Sequence, residues 1–468
     1  MKPPGHRRLG RRLALGAFCG CLLAATARDI FVHPVTGADT ANGLAAAVTG
    51  TNGPVQSIAR GLKLAGPGDT VHLAPVVFRE SALFHNRSGA PGRPLVLDGH
   101  GATLEGSDPL LPADWAQVAP GLYRNARLLK ADDFILIRWF FLFDGRPVHM
   151  GRTSKGAHAP FKQSADLQPG EWTFAAAERA FYVRIAPTQT LAGAHLAAPL
   201  RANGVAFSGT CRHIVVRNLT ATHVYNDGFN LHGATQDVLF ENIRAIECGD
   251  DGISAHETCE LRVDGFESRG NSTGLCHINS SVSENNRVLI RDCLGHDVFV
   301  LEGGRHTLRN SRILSSAARA VTVTGQPAQQ QQCTLTLENV LVQRTAGSNA
   351  VTVLAGGVLE ASRVTLLGLD LRVAAAATLR NSLVAGAPPP ALHIAAGATW
   401  RAEGNRYLVS GLLCGAMRYT PQTFSDYQHA TGQDQHSRWL AAVEQAAGCG
   451  ADEAQLPAVT TGAPHAPP

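Results

Sequence analysis

Cut at a recurring turn, residues 205–303 read VAFSGTCRHIVVRNLTATHVYNDGFNLHG, ATQDVLFENIRAIECGDDGISAHE, TCELRVDGFESRGNSTGLCHIN and SSVSENNRVLIRDCLGHDVFVLEG. Each segment holds a short alternating apolar run, a polar turn and a second short run. The period is roughly 22 to 25 residues, which is the range of solenoids built from one small unit per repeat. No helical stripe separates the two runs, so the unit is a β-coil and not a helix–loop repeat.

Laid in register, Asn226-Asp227-Gly228 falls over Asp250-Asp251-Gly252, then Ser272-Thr273-Gly274, then His296-Asp297-Val298. Beyond the turn, Phe229, Leu231, Ile253 and Ala255 are expected inward, and Asn230, His232, Ser254 and His256 outward. Successive strands of such a coil lie about 4.8 Å apart, so Asp227 is expected one rung from Asp251. The expected result is a polar column on an open outer flank.

Toward the amino terminus, Asp29-Ile30-Phe31-Val32 reads as a strand. Val55, Ile58, Ala59 and Leu62 follow at i, i+3, i+4 and i+7, an amphipathic helix suited to cap the first coil. Gly66-Pro67-Gly68-Asp69 then turns into Thr70-Val71-His72-Leu73, and Val77-Phe78-Arg79-Glu80 follows. This opening resembles the start of bacterial pectin-lyase-like right-handed β-helix proteins, and the resemblance covers most of residues 29–410. It implies an all-β chain: a single-stranded right-handed parallel β-helix with an N-terminal cap helix and a strand-rich insertion.

The insertion is where the period breaks, at 108–200, and it holds Trp115, Trp139 and Trp172. Those rings suit either a sugar-stacking surface or the insertion's own core. The expected divisions are a signal peptide at 1–27, cap and first coils at 28–107, the insertion at 108–200, the main β-helix at 201–411 and a capping tail at 412–468. The coils after Arg305 have shorter, less polar turns and read as scaffold. The tail includes a helix expected around 437–447 and a disordered end.

The formal charge of +4 comes from the leader, because removing Lys2, Arg7, Arg8, Arg11 and Arg12 leaves 36 basic against 37 acidic residues. No basic surface for nucleic acid is implied. The leader combines HRRLGRR, the apolar LALGAFCGCLLAA and a small-residue site at Ala25-Thr26-Ala27, so the chain reads as secreted or periplasmic after cleavage near Ala27. No later segment reads as membrane-spanning. The mature chain keeps eight cysteines; Cys414 and Cys449 are placed to staple the tail, and the others suit buried thiols.

Asp227, Asp250 and Asp251 converge on adjacent turns. Carboxylates this close cannot all ionise freely, which yields an acid and a base in one place. The pattern resembles the polygalacturonase-like glycoside hydrolase family 28, with its Asn-Thr-Asp-Gly turn followed one coil later by an Asp pair. That resemblance implies Asp251 as general acid and Asp227 with Asp250 as the water-activating pair. Ser272-Thr273-Gly274 stands where that family has Gly-His-Gly, and no lysine follows Lys162 to supply its Arg-Ile-Lys clamp.

A second chemistry, that of uronan lyases and C5-epimerases, uses the same face. Tyr225, His232 and His256 then serve as base or acid, and Asp227, Asp250 and Asp251 as Ca²⁺ ligands. Tyr225, Asn226, Asn230, His277, Glu302 and Arg305 are expected to bind substrate along the groove. No cofactor is expected unless the chemistry is lyase-like. The expectation is an exported enzyme cleaving an acidic, uronic-acid-containing polysaccharide by hydrolysis or β-elimination, acting as a monomer. A non-catalytic glycan-binding or adhesion β-helix is the alternative, since Asn, Asp and Gly also suit β-coil turns for their own sake.

Overall fold

The computed structural model describes residues 26–50, 52–128, 132–347, 349–442 and 448–459. Most of the expected signal peptide, the expected disordered end and much of the expected 437–447 helix lie outside these residues.

The fold is the expected all-β parallel β-helix. One long sheet runs, rung after rung, from Asp29–Val32 to Arg406–Tyr407 and Arg438–Trp439. A second sheet, facing it across the core, runs from Ala82–His85 through Phe229–Leu231, Asp251–Ala255, Thr273–His277, His296–Glu302, Arg319–Gly325, Ala350–Val353 and Asp370–Val373. In-register parallel pairing stacks like side chains. Phe229, Ile253, Leu275, Val298, Val321, Val351, Leu371 and Leu392 form one such column, and none is more than 2% exposed. Each such buried aliphatic group contributes roughly 1.5–3 kcal/mol, so the scaffold stands on these columns and not on its surface ion pairs, worth about 0–1 kcal/mol each.

The long strands of the first sheet bend where single residues adopt left-handed backbone, among them Asn218 (φ 53°), Asn242 (φ 50°), Asn310 (φ 46°) and Asn339 (φ 58°). Asparagine tolerates that conformation. Its amides also pair along the axis, Asn310 Nδ2 to Asn286 and Asn339 Nδ2 to Asn310, both at 2.9 Å.

The cap helix runs Ile58–Leu64, starting three residues later than Val55, because Ser57 is its N-cap and accepts from the Arg60 N–H. Gly61 is required at its contact face: a Cβ there would lie 2.7 Å from Val32 Cγ2. Within the insertion, two four-stranded sheets, antiparallel wherever pairing is defined, enclose Trp115, Trp139, Phe141, Trp172 and Phe181. All three insertion tryptophans are buried, so they are core and not a sugar-stacking surface. Toward the end of the chain, Phe424–Thr431 is helical and Arg438–Trp439, at the start of the expected tail helix, is a strand. Tyr427 on that helix receives the Trp400 Nε1–H at 2.8 Å and donates to Asp434 at 3.0 Å. All eight described cysteines are free thiols, so Cys414 and Cys449 form no staple. No described helix is long and apolar enough to cross a membrane.

Candidate functional site

The turn preceding the second sheet brings Asp227, Asp250 and Asp251 together, with a ligand oxygen of each within 4.8 Å of the others. Local sequence explains the approach. A Cβ on Gly228 would lie 2.7 Å from Ala245 Cβ inside the coil. That glycine lets the backbone turn sharply and leaves Asp227 on the outside. Asp227 Oδ1 accepts the Asp251 N–H at 3.0 Å, and its Oδ2 accepts from Asn230 at 2.5 Å and Asn226 at 3.1 Å.

The expected open flank is absent. All three carboxylates are only 2% exposed, because the insertion closes over them. Lys155 Nζ donates to Asp250 at 2.5 Å and to Asp251 at 2.7 Å, Arg138 Nε donates to Asp250 at 2.6 Å, and Ser154 Oγ also donates to Asp250. Arg138, Ser154 and Lys155 carry no motif and lie about a hundred residues upstream, so sequence reasoning missed them.

Burial acts on all three acids, but the cations divide them. Desolvation would raise Asp250, yet Lys155 and Arg138 outweigh it and hold the group below its ordinary value. Asp251 is pushed well up by burial and by the neighbouring Asp250 charge, against the pull of Lys155. Asp227 is pushed up to about 6 by burial and Asp250. The Lys155 ammonium is stabilised well above its ordinary value by the carboxylates, which outweigh its own burial. The cluster therefore favours the charged form of Asp250, between two cations, and disfavours that of Asp251 beside it.

This arrangement does not fit Ca²⁺, which takes 6–8 oxygen ligands. The Lys155 ammonium stands between the Asp250 and Asp251 oxygens, and Arg138 takes the other Asp250 oxygen. An inverting hydrolase also needs its carboxyls roughly 6.5–9.5 Å apart to seat a water. These are closer and already share a lysine.

The other expected site residues scatter. His232 and His256 stack with centroids 4.0 Å apart, and they bond to Glu257 and Ser254 instead of the carboxylates. Tyr225 packs against the insertion core, 6.4 Å from Trp139. Asn226 and Asn230 serve Asp227. His277 points into the coil, 1% exposed, stacked on His306 at 4.9 Å, so it edges no groove. Glu302 ends the strand His296–Glu302 with left-handed backbone (φ 73°) and accepts from Asn279 at 2.7 Å, and Arg305 opens a strand of the other long sheet.

The fourth coil also sits one residue from the expected register. Thr273 pairs with His296, not Asp297. His296 thereby joins the outward column of Asp227 and Asp251, and Arg319 extends it on the next rung. Asp297 falls in the glycine position and turns inward, bonded by Ser315 Oγ and fully buried, with its pKa raised by that burial to about 8.

The groove itself lies over the later coils that read as scaffold. It encloses about 670 Å³ on the outer face of the second sheet, between His296–Glu302 and Asp370–Val373. That is the size of a small-molecule or glycan site. Lys155 forms one end, and Phe299, Arg319, Thr322, Thr352 and Arg372 line its length. Three of its wall residues, each at least nine-tenths buried, carry polar atoms with no partner: His296 Nδ1, Thr322 Oγ1 and Asn349 Oδ1. His296 stacks on Phe299 at 4.5 Å, and burial with the charges of Arg319 and Lys155 lowers its pKa to about 4.

No family model matches the chain, and no curated protein matches it. Among solved structures it is similar to XylC in complex with xylose, at 11% identity over 84% of this chain and 87% of that one, TM-score 0.49. It is also similar to a glycoside hydrolase, at 10% identity over 92% and 100% of the two chains, TM-score 0.47. A rhamnogalacturonan lyase aligns at 11% identity over 79% and 83%, TM-score 0.34. At these identities and scores the likenesses carry no argument about activity.

Proposed function

We propose that the chain is an exported carbohydrate-active enzyme that binds an acidic, uronic-acid-containing polysaccharide in the groove and cleaves it by β-elimination. The observation that carries this reading is Lys155, the one residue shared by the carboxylate cluster and the groove. Its ammonium is held by Asp250 and Asp251, the residue lines the groove's end, and Arg319 and Arg372 lie further along.

The chemistry follows from what lines that end. An ammonium against the uronate carboxylate makes the adjacent C5 proton more acidic. His296 is neutral above a pH of about 4 and has an unpartnered Nδ1, so it can take that proton. The electron pair forms the C4–C5 double bond, the C4–O bond breaks, and the leaving oxygen takes a proton from water in the open groove. The Phe299 ring covers His296 and must yield as the sugar enters. Hydrolysis by the aspartates is disfavoured because they are buried and bonded to Lys155 and Arg138.

Burial of the aspartates also favours a second reading, a non-catalytic glycan-binding protein in which the cluster only anchors the insertion. Incubation with a panel of uronic-acid polymers separates the cases. Elimination yields the ultraviolet absorbance of an unsaturated uronide, and hydrolysis yields new reducing ends without it. Inversion at C5 without cleavage marks an epimerase, and retention without turnover marks a binder.

A further inference from the structure

We infer that the groove reads a single carboxylate and that Arg319 receives it, so the ligand is a glycan in which one uronate suffices and the sugars toward Arg372 are neutral. The inference rests on the acidic-polysaccharide reading above and adds which residue meets the acid and how many acids count.

Three fixed cations line the groove, Lys155, Arg319 and Arg372, and no carboxylate lines it with them. They differ in what already holds them. Lys155 Nζ is bonded to Asp250 at 2.5 Å and to Asp251 at 2.7 Å, so two of its three hydrogens are taken. Arg372 is held at 2.8 Å by Asp370 on its own strand. Arg319 is exposed and makes no ion pair or side-chain hydrogen bond among the described residues. Its fork of donors matches a carboxylate in two-point contact.

Register sets Arg319 beside the base. It pairs with His296 on the neighbouring rung, about 4.8 Å away. The charges of Arg319 and Lys155 both act on the His296 ring, so the three groups stand together at one end of the groove. A carboxylate taken by the Arg319 fork, with the last Lys155 hydrogen beside it, brings the C5 proton of its own sugar to His296.

Arg372 stands elsewhere. It shares a column with Thr322 and Thr352, and Thr322 lies three residues beyond Arg319 on the same strand. Arg319 and Arg372 are therefore two rungs and three residues apart, roughly 14 Å between Cα positions. One carboxylate cannot touch both, and the wall between them is neutral, with Thr322, Ala350 and Thr352. An exposed arginine that already has an acid on its own strand gains little from a second one.

The test is calorimetric binding of three tetrasaccharides to the purified full chain carrying His296→Gln, which stops cleavage during the titration. The probes are a homo-oligouronate, the same oligomer methyl-esterified except at one internal carboxylate, and the full ester. The mono-acid is expected to bind within about threefold of the tetra-acid, and the full ester at least about tenfold more weakly than either. Adding Arg319→Gln is expected to bring all three to the affinity of the ester, and Arg319→Lys, which keeps the charge without the fork, to retain part of the preference. Arg372→Gln is expected to change all three affinities by a common factor. Thermal unfolding of each variant establishes that these exposed substitutions leave the fold intact. A tetra-acid more than about tenfold tighter than the mono-acid overturns the count of one. An acid preference that survives Arg319→Gln overturns the assignment to Arg319. Both of those results leave the acidic-polysaccharide reading standing, whereas acid and ester binding alike before Arg319 is changed overturns that reading together with this inference.

Discussion

Lys155 and Asp251, 96 residues apart in the chain, meet at 2.7 Å and close the insertion onto the turn between two coils. The same ammonium satisfies Asp250, so its removal leaves a buried carboxylate with Arg138 as its remaining cation. Breaking a buried pair on one side costs about 3–5 kcal/mol. Lys155→Met is therefore expected to lower the denaturant midpoint by that order and to abolish cleavage, while Lys155→Arg keeps most of the stability. Because the ammonium stands where a divalent ion would, a chelator is expected to leave both melting and turnover unchanged. Chelator-sensitive activity restored by Ca²⁺ would contradict this geometry.

The two neighbouring aspartates are expected to respond oppositely to amide substitution. Lys155 and Arg138 pull the Asp250 pKa down against its burial, whereas burial and Asp250 push the Asp251 pKa up. Asp251→Asn replaces an acid with a neutral group of similar shape and should cost less than about 1 kcal/mol. Asp250→Asn leaves two cations underneutralised in a dry site and should cost about 3 kcal/mol or more. Urea unfolding of the pair measures the difference, and the reverse order would reverse the protonation assignment.

The pH profile of cleavage distinguishes the candidate bases and acids. A base at His296, lowered to about 4 by burial and by Arg319 and Lys155, gives kcat/KM that rises through a pH of about 4 and is flat toward neutrality. General acid catalysis by Asp251 would instead lose activity as pH climbs through its raised pKa. His296→Gln is expected to remove the acidic limb along with at least a hundredfold of the rate, about the scale of a lost general base. Binding of the polymer should survive.

The coil was legible because its signal is local and repeated: alternation within each run, and a turn at a near-constant interval. The pairing of Asp227 with Asp251 followed from that period. Its failure at the fourth coil has a physical cause. Asp297 stands where earlier turns carry glycine, and its inward carboxyl is tolerated because Ser315 bonds it within the core. Burial of the aspartates was not legible, because the residues that bury them, Arg138, Ser154 and Lys155, come from an insertion whose docking leaves no periodic trace. The groove was partly legible. Arg319 and Arg372 occupy outward strand positions, but polar turns drew attention to earlier coils.

Packing of successive coils beneath the insertion carries its own pH dependence through His223. That ring bridges Glu105 at 3.1 Å and Glu247 at 3.2 Å, beside His149 and within 6.5 Å of the Phe140 ring centroid. Burial alone would lower its pKa, but the bonds to Glu105 and Glu247 prevail and raise it from 6.5 to about 9. A raised folded pKa means the stabilisation is fully present below the unfolded value and is lost as pH climbs through the folded one. The window is thus from about 6.5 to about 9, and the difference corresponds to roughly 3 kcal/mol. Glu105 and Glu247 are both held below their ordinary values, so they stay ionised throughout and add no slope there. His149, lowered to about 4 by burial, stays neutral across the same range. Thermal melts of the natural chain should therefore fall across that window more steeply than those of His223→Gln, which should start lower and keep only the slope set by the raised carboxyls of Asp297 and Asp251. A natural chain whose melting temperature is constant from neutrality to about 9 would mean that His223 is not charged in the folded state.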